Sequence, residues 1–174
     1  MFHSGRVIVL FCSVSMAFGQ EYTATALSIK GCPTKGPGQK YEVSLVEDSK
    51  DSKSLSATVN LDKVFNKDCT YQATVDYKTG VDYIRYTTLN GNACEVLGKV
   101  LKPAWDRLKT TVEPAVKDSC IVNPGSYSLK GFQMKKDEFD LPIAQEGEFR
   151  VSMHLYCQEE ELGCVTVDIL VTED

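Results

Sequence analysis

Residues 69 to 77 read CTYQATVDY, in which Cys69, Tyr71, Ala73, Val75 and Tyr77 alternate with Thr70, Gln72, Thr74 and Asp76. A β-strand turns successive side chains to opposite faces, so this period of two predicts a strand with one apolar and one polar face. A helix would scatter the same apolar residues around its circumference. The pattern recurs outward in both directions. Leu55, Ala57, Val59 and Leu61 share a face against Ser56, Thr58 and Asn60. Val151, Met153, Leu155 and Cys157 alternate with Ser152, His154 and Tyr156, and Val165, Val167, Ile169 and Val171 with Thr166, Asp168 and Leu170. Fainter alternation marks further strands at 22–30, 40–47, 81–89 and 126–132. Gly31, Gly36-Pro37-Gly38, Gly80, Asn90-Gly91-Asn92, Pro124-Gly125, Gly147 and Gly163 supply turns between them. Short strands at this spacing predict a mainly β sandwich or barrel.

One stretch departs from the pattern. Ala93, Val96, Leu97, Val100, Leu101, Ala104, Trp105 and Leu108 recur in steps of three and four, which predicts one amphipathic helix over about 93–108. Asn90 or Asn92 is placed to cap its start. Pro103 is expected to kink or split it, because proline lacks the N–H of a continuing helix.

The amino-terminal residues predict export. Arg6 precedes the apolar run Val7 to Cys12, and Ala17 and Gly19 are the small residues a signal peptidase reads, so cleavage is expected after Gly19. The apolar run is shorter than the ~20 residues of a membrane span. Residues 1–19 are therefore read as a signal peptide and 20–174 as a single soluble, secreted domain. The formal net charge is −5, and loss of Arg6 makes it one unit more negative. An acidic chain with no long Lys/Arg cluster is a poor candidate for gripping nucleic-acid phosphates, and no nucleic-acid partner is expected. Removal of Cys12 leaves Cys32, Cys69, Cys94, Cys120, Cys157 and Cys164, an even set that reads as three disulfides with fifteen arrangements open. Zinc would call for a closely spaced pair such as CxxC, and there is none; no metal and no cofactor is expected.

Catalytic signals are missing as well. His154 is the one histidine left after export, on the polar side of a strand, where a solvated role is expected. No GxSxG, HExxH or phosphate-binding glycine loop occurs, and Glu159, Glu160 and Glu161 read as a solvated hairpin tip. The expectation is a protein that is not an enzyme and has no catalytic residue.

The second half carries an ordered set of short motifs: Cys94-Glu95-Val96-Leu97, Cys120, Pro124-Gly125-Ser126-Tyr127-Ser128-Leu129, Phe139-Asp140-Leu141-Pro142, Gly147-Glu148-Phe149-Arg150-Val151 and Leu162-Gly163-Cys164-Val165-Thr166-Val167. Over about residues 92–171 this order resembles the ganglioside activator-like ML (lipid-recognition) family, and within it the insect chemosensory protein B type. The resemblance implies an immunoglobulin-like β-sandwich opened into a β-cup around an apolar cavity. It also implies the bridges Cys32–Cys164 and Cys94–Cys120, and with them Cys69–Cys157. In such a cup the lining or rim falls to Leu97, Val100, Leu101, Trp105, Phe132, Phe139, Leu141, Ile143, Val151, Met153 and Leu155, each of which also reads as ordinary core. Trp105 is expected to close over the mouth, and Ile143 to stand on an entrance lip.

The implied function is a carrier for a lipid or other hydrophobic small molecule. Two alternatives stand beside it. One is an accessory protein that presents a lipid to a hydrolase or receptor, with a membrane surface as a further partner. The other is a filled-core secreted interaction protein with no ligand. A large apolar cavity separates the first two from the third.

Overall fold

The computed structural model describes residues 22–32, 41–49, 52–133, 143 and 145–173. Residues 1–19, read as a signal peptide, and Phe139 and Leu141 lie outside the described residues. The protein is mainly β, and the described residues form eight strands in two antiparallel sheets. The strands are β1 (Tyr22–Gly31), β2 (Tyr41–Ser49), β3 (Ser52–Leu61), β4 (Thr70–Thr79), β5 (Asp82–Asn92), β6 (Gly125–Gln133), β7 (Gly147–Cys157) and β8 (Glu160–Glu173). The larger sheet runs β1-β8-β7-β4-β5 and the smaller β2-β3-β6. Each strand read from alternation is present.

The expected single helix is instead two, α1 (Ala93–Lys99) and α2 (Lys102–Thr111). Pro103 is the cause. Its ring is tolerated only in a first turn, where an unpaired N–H is normal, so a new helix begins with Leu101 as N-cap. Asn92 caps α1 by accepting a hydrogen bond from the Glu95 N–H at 3.1 Å.

Register places the apolar residues of the larger sheet together. Phe149, Val151, Met153 and Leu155 of β7 lie opposite Ile169, Val167, Val165 and Gly163 of β8, and opposite Tyr77, Val75, Ala73 and Tyr71 of β4. In the smaller sheet Tyr41, Val43 and Leu45 lie opposite Val59, Ala57 and Leu55, which in turn meet Tyr127, Leu129 and Phe132. The Tyr41 side chain crosses from this face to the larger sheet. A Cβ on Gly31 would come within 2.6 Å of its ring, and its hydroxyl hydrogen-bonds the carbonyl of Cys164 and accepts from the Cys164 N–H at 3.2 Å.

Three bridges brace the strands: Cys32–Cys164, Cys69–Cys157 and Cys94–Cys120. These are the pairs implied by the resemblance. The first joins β8 to the residue just after β1. The second joins the residue just before β4 to the end of β7, and the third ties α1 to the loop before β6. Among the described residues no helix is long and apolar enough to cross a membrane.

The polar face of the larger sheet carries a row of charge across four strands, ended by a hydroxyl on the fifth. Arg85 of β5 pairs with Asp76 of β4, which lies opposite Arg150 of β7. Arg150 donates to Asp168 of β8 at 2.7 Å, and Ser28 of β1 donates to the same carboxylate at 2.9 Å. Directly opposed charges are the sheet counterpart of helical ion pairs. The Arg150 hydrogen bond, supported by Ser28 and opposed by burial, holds the Asp168 carboxyl below its ordinary 3.8. A depressed carboxylate contributes stability that is present above the unfolded pKa and is lost as pH falls through the folded value. Asp168→Asn should cost about 1 kcal/mol near neutral pH and flatten the acid limb of the stability profile. Urea midpoints of the two proteins on either side of the carboxylate range check this.

Gly147 opens β7 at φ 136°, and a Cβ there would meet the Tyr77 ring at 2.6 Å. Both backbone and packing therefore require glycine. Gly147→Ala is expected to destabilise by about 1–2 kcal/mol, read from thermal unfolding.

Candidate functional site

Burial along the two apolar faces is uneven. At one end Phe149, Val75, Ile169 and Val171 are buried with Ile143 against them. At the other end Cys69, Cys157, Phe65, Ala93 and Val122 are buried, with Leu61 and Tyr127 of the smaller sheet and Leu155 of the larger packed on them. The sheets meet there. A third cluster, Val112, Leu129 and Phe132, forms where α2 and the segment after it cover β6.

Between these clusters the apolar side chains are less covered. Met153 and Val165, directly opposed in β7 and β8, are half-buried, as are Val43, Leu45 and Val59 of the smaller sheet. Among the described residues these five pack into none of the three clusters. Val151 and Val167 beside them are half-buried too. Ala73, short enough to be screened by its neighbours, is buried. β7 and β8 are interior strands, so inward-facing valine and methionine there would be buried in a filled sandwich.

The expected lining residues fall in different places. Val151, Met153 and Leu155 lie on this face. Leu97 and Trp105 pack on the cluster around Cys69. The Trp105 indole N–H donates to the Ser119 carbonyl at 2.7 Å, which fastens the segment after α2. Val100 and Leu101 are half-buried at the break between the helices. Phe132 is 4% exposed beneath α2, with the Arg107 guanidinium 4.5 Å above its ring. Ile143, expected on a lip, is 5% exposed and closes one end of the larger sheet. It is buried because Phe149, Ile169 and Val171 offer it an apolar floor. Val43, Leu45, Val59 and Val165 were not among the expected residues. Their signal was the same alternation, but which strand opposes which is absent from it.

No family model and no curated protein matches this chain.

A separate concavity of about 430 Å³ opens over the segment after α2, lined by Pro114, Val116, Lys117, Ile121, Val122 and Tyr127 among others. None of the expected lining residues borders it. Asp118 shapes its wall by accepting hydrogen bonds from the N–H groups of Cys120 at 2.7 Å and Ile121 at 2.9 Å. Those bonds hold its carboxyl below the ordinary carboxylate value. Val116 and Tyr127 belong both to the cluster around Cys69 and to the one beneath α2.

His154 departs from its expected solvated role. It is half-buried, with Nδ1 3.1 Å from Glu161 and Nε2 3.3 Å from the Cys164 sulfur. Glu161, expected at a solvated hairpin tip, is half-buried within β8; Gln158 and Glu159 form the turn, at φ 53° and 64°.

Proposed function

We propose that the chain is a secreted carrier that holds a lipid or similar apolar molecule between its sheets, in the β-cup manner of the ML family. The observation that carries this reading is the set of half-buried apolar side chains, Met153 and Val165 on one sheet and Val43, Leu45 and Val59 on the other, between closed ends. Apolar surface left uncovered in the middle of a domain is stabilised when a hydrocarbon takes its place. Each buried methylene contributes about 0.8 kcal/mol, so twelve of them supply on the order of 10 kcal/mol before ordering costs. No catalytic group takes part in such binding. The three disulfides support the reading in two ways. They fit an exported protein, and two of them stiffen one wall, tying β8 to the residue after β1 and β7 to the residue before β4.

The test is native mass spectrometry of protein isolated from its source, followed by solvent extraction and identification of what was bound. The expected result is one apolar molecule per chain, and a delipidated chain that takes up a fluorescent fatty acid with one-to-one stoichiometry. A delipidated, folded chain that binds neither acyl, sterol nor terpenoid probes would refute it. Co-purification of a hydrolase or receptor would turn the reading from carriage to presentation.

A further inference from the structure

On the face of the larger sheet opposite the apolar one, the fold assembles a second cluster that the carrier function does not use. Cys32 and Cys164 face each other, with the Cys32 N–H donating to the Cys164 carbonyl at 3.0 Å. His154 lies opposite Cys164 on β7. Its Nε2 is 3.3 Å from the Cys164 Sγ, and its Nδ1 is 3.1 Å from Glu161 Oε1. Thr166 Oγ1 lies 3.3 Å from the Cys32 Sγ. The ligand atoms of Cys32, His154 and Cys164 all lie within 4.8 Å of one another, and among the described residues they are the one group of three metal-ligating side chains so placed.

In the oxidised chain the two sulfurs are bonded to each other and no thiolate is on offer. We propose that reduction of Cys32–Cys164 converts this cluster into a two-thiolate, one-imidazole site for zinc(II). The chemistry balances with a dithiol as reductant. One dithiol sulfur attacks Cys32, the less buried of the two, and Cys164 leaves as a thiolate beside His154. The second dithiol sulfur then releases Cys32 and closes the reductant into its own disulfide. Two electrons and two protons pass to the cysteines. The cation displaces both thiol protons, accepts the imidazole Nε2 and completes a tetrahedron with water, the composition of many open zinc sites.

Two features suit the cluster to this. Each sulfur already faces a polar partner able to stabilise a thiolate, His154 on one side and the Thr166 hydroxyl on the other. Glu161 holds Nδ1, which leaves Nε2 for the metal, the carboxylate–histidine–metal arrangement. The pair does not depend on its own bond for position, because the β1–β8 ladder runs up to Gly31 and the Tyr41 hydroxyl ties β2 to the Cys164 backbone. Cys69 and Cys157 are both shielded, at 0% and 3% exposed, whereas Cys94 and Cys120 are both half-buried, so the preference for Cys32–Cys164 rests on His154 and Thr166 beside its sulfurs.

The experiment is a dithiol titration of the full mature chain, stopped at two thiols per chain so that two bridges still hold the fold. Alkylation and peptide mapping should find the label on Cys32 and Cys164. At that stage native mass spectrometry should show one zinc ion per chain and none on the oxidised protein. Cobalt(II) in its place should give thiolate charge-transfer absorption. Glu161→Gln should weaken zinc about 10–100-fold, and His154→Ala should weaken it at least as much. The proposal fails if another bridge opens first, or if the two-thiol chain takes up no zinc. It also fails if oxidised protein or a Cys32→Ser, Cys164→Ser variant binds zinc equally well. The order of bridge opening is read whether or not the fully reduced chain stays folded.

Discussion

Replacing Cys69 and Cys157 together by alanine should lower the stability of the domain by about 3–4 kcal/mol and its melting temperature by about 10 °C. The bridge spans a sequence separation of 88. Releasing it returns a long loop to the unfolded ensemble, and the entropy regained there is what destabilises the fold. Packing adds to this. Both cysteines are buried in the cluster where the two sheets meet, with Phe65, Ala93 and Val122 beside them. Alanine leaves a small void where Leu61 and Tyr127 of the smaller sheet pack against this cluster. Differential scanning calorimetry of the two proteins, with free-thiol counts to establish that Cys32–Cys164 and Cys94–Cys120 remain closed, measures the effect. A change below 1 kcal/mol would mean that this end of the β4–β7 pair is held by its ladder and packing without the bridge.

The second large effect concerns the interior. Met153→Trp combined with Val165→Phe should weaken binding of an acyl probe about a hundredfold, because the added side-chain volume excludes three or four methylenes worth about 0.8 kcal/mol each. The stability of the delipidated protein gives the more decisive half of the result. In a filled core such overpacking costs about 1–3 kcal/mol. In a hollow one it meets open space, and the melting temperature should stay level or rise. Met153 and Val165 are the positions to use because they oppose one another and pack into none of the three apolar clusters. A fall in stability with unchanged binding would place the ligand elsewhere, and the groove over Val116 and Tyr127 would be next to probe.

The alternation at 69–77, 151–157 and 165–171 located its strands because side-chain direction is a property of the local backbone: consecutive residues of an extended chain point to opposite sides whatever lies beyond them. Pro103 was legible for the same reason, since its missing N–H acts within one turn. The break at Leu101 needs no tertiary contact to explain it. The site was legible only in part. Met153 belongs to the apolar face by its own alternation, but that Val165 lies opposite it follows from a register set by the Gln158–Glu159 turn. That Val43, Leu45 and Val59 are left equally uncovered follows from where β6, α2 and Ile143 settle.

Ile143 shows the limit from the other side. Its loop position suggested an exposed lip, and Phe149, Ile169 and Val171 buried it. His154 on a polar strand face gave no hint of Cys32, Cys164 or Glu161 at its ring, because those residues come from other strands. Sequence by itself thus determined which residues are extended, which face of each strand is apolar and where the helix breaks, all decided within a few residues of chain. Only the tertiary structure decided how fully each apolar face is covered and which polar groups meet, because both depend on what another strand or loop places opposite them.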